Sequence, residues 1–408
     1  MSVEPMEPFF EEIEEPVELA MTGNYAAAGG VSQTDPDVVC AFPITPQTQS
    51  VEGLSDVVHH GSLKAAFVNI ESELAAMAYS VAACAAGART FTATASQGYL
   101  LMTEALPMAV GWRVPLTMMI SARAFNSPNL SIWNYWEFAV GLECGWNIIV
   151  GENVQETYDQ SIIASKISEE SLFPTMFVHD GFIISHSAQK FWAIPNADVM
   201  AYTPKKDRHY FRPDNPGTWG GIVTPDYFSE GHLRLDIDKS TVLSTISQCF
   251  ADFEKMTGRK YDHIETFNLD GKKVAFLTMG SMCGNILTWM AKNEVNAGLI
   301  KLRTWRPFPV QQLQEIIDNS DIEKIIVLEK DDTFTGMLPP VGMAVSSALF
   351  GRDLVLRSFI VGLGGRDVTK DEFETALQKM ESVSDNKGKL YDYLGVRETK
   401  DKRWEVKF

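Results

Sequence analysis

A few residues in this chain could do chemistry together. Thr45 stands between two prolines in Phe42-Pro43-Ile44-Thr45-Pro46. Each proline ring fixes its own φ and restricts the residue before it, so the loop can hold one hydroxyl still. Glu73 closes the run Glu71-Ser72-Glu73, which opens an apolar stretch rich in Ala, Met and Val. An acidic residue at the head of such a helix supplies a carboxylate that can be buried. Ser96 and Gln97 lie in Thr94-Ala95-Ser96-Gln97-Gly98, and Arg123 lies in Ala122-Arg123-Ala124. An arginine offers a planar fork of donors that matches a carboxylate. Each residue also has a plainer reading. Thr45 could cap a helix, and Glu73 could be a first-turn acid stabilised by the helix dipole. Arg123 could pair with a structural acid, Ser96 and Gln97 could be a cap and its neighbour, and His186 reads as a structural histidine.

These residues need strands and helices to present them. Short apolar runs at 38–42, 66–70, 89–94, 114–121, 147–150 and 175–179 read as strands. Residues 71–87 and 154–167 have helical character between them. Fully apolar strands that alternate with helices indicate an α/β fold with a parallel sheet covered on both faces. Ligands of such sheets sit beyond the carboxyl ends of the strands. Thr45, Glu73, Gln97 and Arg123 each follow a strand end, which places them on one edge of the sheet.

The 408 residues suffice for two or three domains. Residues 1–18, rich in Glu, read as an acidic arm that is solvated or docks on a neighbour. Residues 19–186 form the first α/β domain. Residues 187–242 carry Pro195, Pro204, Pro216 and Pro225 among aromatics and read as a linker or excursion. Residues 243–381 form a smaller α/β domain, and 382–408 a polar tail over the surface or a partner. A net charge of −18 argues against nucleic acid or an anionic membrane as a direct partner. No run of eighteen apolar residues predicts a membrane span, and the acidic start lacks the basic region of a signal peptide, so a cytoplasmic location is expected. The five cysteines are scattered without a CxxC pair. No zinc site or iron–sulfur cluster within this chain is expected, nor a disulfide.

Taken in order, the segments resemble the alpha chain of the 2-oxoacid:ferredoxin oxidoreductases, such as pyruvate:ferredoxin oxidoreductase. The matching pieces are Phe42-Pro-Ile-Thr-Pro46, Ile70-Glu-Ser-Glu73, Ala86-Gly-Ala-Arg89, Thr94-Ala-Ser-Gln-Gly98 and Ile132-Trp-Asn134. Asp180-Gly-Phe182, Ser185-His186, Met279-Gly-Ser281, Arg306-Pro-Phe-Pro309 and Gly364-Gly-Arg-Asp-Val368 follow. No single piece is specific, and it is their order and spacing that carry the resemblance. It implies a thiamine diphosphate pyrimidine-binding domain followed by one like the C-terminal domain of transketolase. It also implies coenzyme A-dependent oxidative decarboxylation of a 2-oxo acid, with electrons leaving for ferredoxin or another acceptor. By the same resemblance Glu73 contacts the aminopyrimidine ring and promotes the reactive ylid, while Pro43, Ser96 and Gln97 lie around the cofactor. Thr45 and Arg123 then bind the substrate carboxylate.

The Gly-Asp-Gly segment with which thiamine enzymes hold the diphosphate and Mg2+ is missing; His179-Asp180-Gly181 and Leu269-Asp270-Gly271 lack its first glycine. A beta subunit is therefore expected to supply the diphosphate and metal half. Gamma and delta, ferredoxin-like subunits are expected to carry [4Fe-4S] clusters, in a hetero-oligomer without which this chain is inactive. After Ile132-Trp133-Asn134, where pyruvate enzymes commonly continue with an Asp-His-Ser-Asp type run, this chain has Tyr135-Trp136-Glu137-Phe138. Asn134, Tyr135, Trp136 and Phe138 could wall a pocket for a bulkier 2-oxo acid such as phenylglyoxylate, or the rings could face the core or the beta chain. A transketolase-like thiamine subunit that does not use ferredoxin and a non-catalytic scaffold are the competing readings.

Overall fold

The structure, a computed structural model, describes residues 5–127, 129–207, 214, 216–218 and 220–397. The last residues of the expected tail, 398–408, and residues 208–213, 215 and 219 of the expected excursion lie outside the described residues. The first unit contains strands β1 (Val17–Thr22), β2 (Val38–Ala41), β3 (Ala66–Asn69), β4 (Thr90–Thr94), β5 (Thr117–Ala122), β6 (Asn147–Val150), β7 (Thr175–Asp180) and β8 (Ala188–Ala193). After it come β9 (Ile264–Phe267), β10 (Val274–Thr278), β11 (Gly298–Leu302), β12 (Thr304–Arg306), β13 (Lys324–Glu329), β14 (Val355–Ile360) and β15 (Tyr391–Tyr393). Four helices bear on the site: α1 (Gly23–Gln33), α2 (Thr48–His60), α3 (Glu73–Ala85) and α4 (Ser96–Met102).

The first sheet runs β12-β6-β7-β5-β4-β2-β3 and the second β15-β14-β13-β10-β11-β9. From β6 to β3 every neighbouring pair is parallel. Every residue of β4 and β5 is buried, as a sheet covered on both faces requires. One edge of each sheet is antiparallel: β9 runs against β11, and β12 runs against β6. The β12 pairing crosses between units, because the chain leaves the second sheet after β11 and adds a strand to the first.

Four segments sit differently from the sequence reading. The acidic arm docks on its own chain: Met6, Phe9 and Ile13 are buried. A Cβ at Gly29 would lie 2.2 Å from the Phe9 ring, so the small residues of α1 leave the space that Phe9 fills. Residues 187–242 are not a plain linker. β8 pairs antiparallel with β1, from Val17↔Ala193 to Thr22↔Ala188. Pro195 and Pro225 stand at the starts of helices Asn196–Tyr202 and Pro225–Ser240, where a missing N–H costs nothing. Helix Val242–Thr257, assigned above to the second domain, packs on the first. Cys249 O receives the Tyr202 hydroxyl at 2.9 Å, and Asp252 pairs with Lys166 at 3.1 Å. In the tail, β15 extends the second sheet beside β14.

The two units meet on buried charge. Asp180, at the end of β7, lies 3.0 Å from Lys330 Nζ, and both are 2% exposed or less. The same carboxylate receives the Ser281 N–H and the Trp136 indole N–H, each at 3.0 Å. Removing one partner of such a pair costs about 3–5 kcal/mol, because the other is left buried and uncompensated.

Candidate functional site

The order β3-β2-β4-β5 sets the geometry. β2 connects outward to β3, while β4 connects the other way to β5. The loops after β2 and β4 therefore diverge, and a crevice opens at this switch point, where doubly wound sheets hold their ligands. The Thr45 loop follows β2, Glu73 follows β3, Ser96 and Gln97 follow β4, and Arg123 follows β5. These residues thus stand at the carboxyl ends of four adjacent strands.

The Thr45 loop is anchored from below, while Pro43 and Thr45 themselves are exposed. Asn24, wholly buried on α1, donates its amide to Pro46 O at 2.6 Å. Its carbonyl receives the Ser121 hydroxyl at 3.1 Å, and Ser121 Oγ lies 2.7 Å from His179 Nε2. Burial lowers the His179 pKa to about 3, so the ring is neutral and acts as a hydrogen-bonding spacer. None of Asn24, Ser121 or His179 was singled out from the sequence, because each looks like an ordinary residue until the fold stacks the three.

Glu73 is the first residue of α3 and is 8% exposed. Ser72 caps the helix, accepting the Ala75 N–H at 3.2 Å. The Glu73 carboxylate extends across the crevice to α4. A Cβ at Gly98 would lie 2.7 Å from Glu73 Oε1 and 2.4 Å from Thr94 Oγ1. Among the described residues no donor lies within hydrogen-bonding distance of that carboxylate. An acid pressed against bare backbone, with its acceptors unused, fits a cofactor ring that brings its own N–H.

Arg123 is 7% exposed, and burial lowers its pKa against the opposing charge of Glu137. Its guanidinium donates to Thr45 O at 2.7 Å and to Ser131 O at 3.2 Å. No acid side chain pairs with the guanidinium among the described residues, and Nη2 has no partner there. Ser96 has a left-handed backbone, φ 51°, and its hydroxyl donates to Ala124 O at 2.5 Å. Gln97 Oε1 also lies 2.5 Å from Ser96 Oγ. Glu137 accepts the N–H groups of both Ser96 and Arg123. It went unremarked in the sequence, although one acid inside the apolar run Trp136-Glu137-Phe138-Ala139-Val140 is a signal, since such an acid is buried only with partners.

Of the two readings of Tyr135, Trp136 and Phe138, the burial of all three rings favours the one in which they face the core. The Tyr135 hydroxyl donates to Asp332 O at 2.7 Å, the Trp136 backbone N–H to Lys330 O at 3.0 Å, and the Trp136 indole N–H to Asp180 at 3.0 Å. Phe138 is 2% exposed in the core. The rings serve the junction with the second unit. Asn134 differs: it is wholly buried, and neither amide atom has a partner among the described residues. The glycine motif 364–365 packs on the same strap, since a Cβ at Gly365 would lie 2.6 Å from Trp133 Cβ. Asp180 of the incomplete Gly-Asp-Gly match is spent on Lys330 and Ser281.

A parallel sheet with a capped glutamate across its switch point, followed by a second α/β unit, is the arrangement of one half of a thiamine-dependent enzyme. Comparison with known proteins agrees. Residues 29–250 match the family model "Pyruvate flavodoxin/ferredoxin oxidoreductase, thiamine diP-bdg", and residues 273–373 match "Pyruvate:ferredoxin oxidoreductase core domain II". Pyruvate synthase subunit PorA of Pyrococcus furiosus is 36% identical over 407 residues, covering 96% of this chain and 99% of that one. Ketoisovalerate oxidoreductase subunit VorA of Pyrococcus abyssi is 33% identical over 387 residues, covering 92% and 96%. The chain belongs to the 2-oxoacid:ferredoxin oxidoreductases, as an alpha subunit. In fold it is similar to 2-oxoglutarate:ferredoxin oxidoreductase from Magnetococcus marinus, with a TM-score of 0.69 at 18% identity. That likeness covers 89% of this chain and 65% of the other. A split gene transketolase is similar at TM-score 0.51 and 12% identity.

Proposed function

We propose that this subunit carries the pyrimidine and substrate half of a coenzyme A-dependent enzyme that oxidatively decarboxylates a small 2-oxo acid. The observation that carries the reading is the Glu73 carboxylate, laid against Gly98 at the switch point with its acceptors unused. When bound, thiamine diphosphate supplies the electron sink for decarboxylation. Glu73 would meet the pyrimidine ring of that cofactor and would serve there as the buried group that holds and exchanges a proton. Pro43, Ser96 and Gln97 line the same crevice. Arg123, tied to the Thr45 carbonyl, presents its remaining N–H groups to the substrate carboxylate. Thr45 offers its hydroxyl beside it.

A beta subunit bearing the diphosphate and Mg2+ half, and gamma and delta subunits bearing [4Fe-4S] clusters, complete this reading. The use of Asp180 within the chain supports a metal site elsewhere. Pyruvate and branched-chain 2-oxo acids are favoured over phenylglyoxylate, because Tyr135, Trp136 and Phe138 are committed to packing. The test is the complex purified anaerobically through this chain, given coenzyme A, a viologen dye and one 2-oxo acid at a time. Dye reduction with pyruvate or 2-oxoisovalerate is expected. Reduction with phenylglyoxylate alone would overturn the substrate class. No reduction with any 2-oxo acid, in a complex that contains clusters and thiamine, would overturn the function.

A further inference from the structure

The last ladder pair joining β4 to β5 is Thr94↔Ile120. Ser96 and Arg123 lie past it, where the ladder between β4 and β5 no longer fixes the two backbones. Buried backbone N–H groups must find an acceptor somewhere. Glu137 provides it for both. It is wholly buried at the head of the single turn Glu137–Val140. Its Oε1 accepts the Ser96 N–H at 3.1 Å, and its Oε2 accepts the Arg123 N–H at 2.7 Å. One carboxyl group thus bridges the ends of β4 and β5 on one side of the crevice. The direction of the Arg123 side chain follows from that bridge, since the guanidinium goes on to Ser131 O and Thr45 O.

Burial raises the Glu137 pKa well above the usual carboxylate range, against both N–H donors and Arg123. A chain that only needed a filled core here could use an apolar side chain without that cost. An apolar side chain would leave both N–H groups unmet and remove the tie on the backbone from which the Arg123 guanidinium reaches Thr45 O.

We propose that Glu137 is a positioning residue for the substrate: by holding the Ser96 and Arg123 backbones it sets the guanidinium over the Thr45 loop, and with it the affinity for the 2-oxo acid carboxylate. This rests on the reading of Arg123 as the ligand of that carboxylate. Glu137 and Glu73 meet α4 at different residues, Glu137 at the Ser96 N–H and Glu73 against Gly98.

The test uses the whole complex assembled with Glu137→Gln, Glu137→Asp, Arg123→Ala and the Glu137→Gln/Arg123→Ala double variant. Glutamine keeps one acceptor oxygen and turns an amide NH2 toward the other N–H, so one of the two ties is lost. The expected result for Glu137→Gln is a KM for the 2-oxo acid raised about tenfold, with kcat changed less than about threefold. The KM for coenzyme A and the thiamine diphosphate concentration for half activation stay as they were. Glu137→Asp, which keeps both oxygens, is expected to recover part of the loss. The double variant is expected to match Arg123→Ala alone, because Glu137 acts through Arg123. Size-exclusion recovery of each complex shows that it is folded. A raised KM in Arg123→Ala with an unchanged KM in Glu137→Gln would overturn the inference and leave the site reading intact. So would additive effects in the double variant, or a Glu137→Gln defect spread equally over both substrates and kcat. An unchanged KM in Arg123→Ala would instead overturn the reading of Arg123 itself.

Discussion

Gly98 and Glu73 face each other across the crevice so closely that a Cβ on Gly98 would sit 2.7 Å from Glu73 Oε1. The two residues come from helices after different strands, α4 and α3, and the absent side chain of one is the space used by the other.

Gly98→Ala is therefore expected to push the Glu73 carboxylate or the Thr94 hydroxyl aside. Turnover should fall at least about tenfold, the equivalent of ~1.4 kcal/mol in the barrier, in a complex that still assembles. Gly111→Ala is the control, because a Cβ there meets nothing within 4 Å. Steady-state dye reduction by the two complexes checks this. Equal activity would mean that the close approach has no bearing on the reaction.

Glu73→Gln keeps the shape of the side chain and removes its capacity to exchange a proton. A kcat lower by about 10²–10⁴ is expected, the usual range for losing an acid–base group. Subunit composition should not change. Turnover within a factor of about two of the parent would remove the central role given to Glu73 here.

Arg123→Ala should act on substrate affinity. Losing a charge-assisted contact of ~1.5–3 kcal/mol corresponds to a KM raised by about one to two orders of magnitude. Thiamine diphosphate affinity, measured by calorimetric titration of the complex, should be unchanged. A collapse of cofactor binding would mean that the arginine's tie to Thr45 O is its main task.

His179 gives a pH signature. Burial lowers its pKa from 6.5 to about 3 in the folded chain. Between those values the unfolded chain binds a proton that the folded chain refuses, so stability rises with pH through that window and is lost as pH falls through it. The slope from this one group approaches ~1.4 kcal/mol per pH unit. His179→Gln keeps a hydrogen-bonding group beside Ser121 and Asn24 and has nothing to protonate. Its melting temperature should fall less steeply than the parent's between pH 6.5 and 4.5. Parallel curves for the two proteins would mean that His179 is charged in the fold.

The strand ends were legible because each apolar run stops at a small or polar loop residue, and the parallel α/β pattern then forces those ends to one edge. Thr45, Glu73, Gln97 and Arg123 could be placed on that argument alone. Tyr135 and Trp136 could not, because the Tyr135 ring is held by Asp332 and the Trp136 backbone by Lys330, far along the chain in the second unit, and the Trp136 indole by Asp180. Periodicity carries no information about such a partner. The prolines of 187–242 misled for a local reason: Pro195 and Pro225 start helices as readily as they break them. β8 went unseen because its partner β1 lies at the other end of the first domain.

The strand exchanged between units has a mechanical meaning. β12 belongs by sequence to the second unit and by hydrogen bonding to the first sheet, and beside it Asp180 is locked to Lys330. Prising the two units apart would tear a sheet edge and strand a buried charge. The two units are therefore fastened twice, by a shared sheet edge and by a buried ion pair, so neither can shift against the other without breaking both.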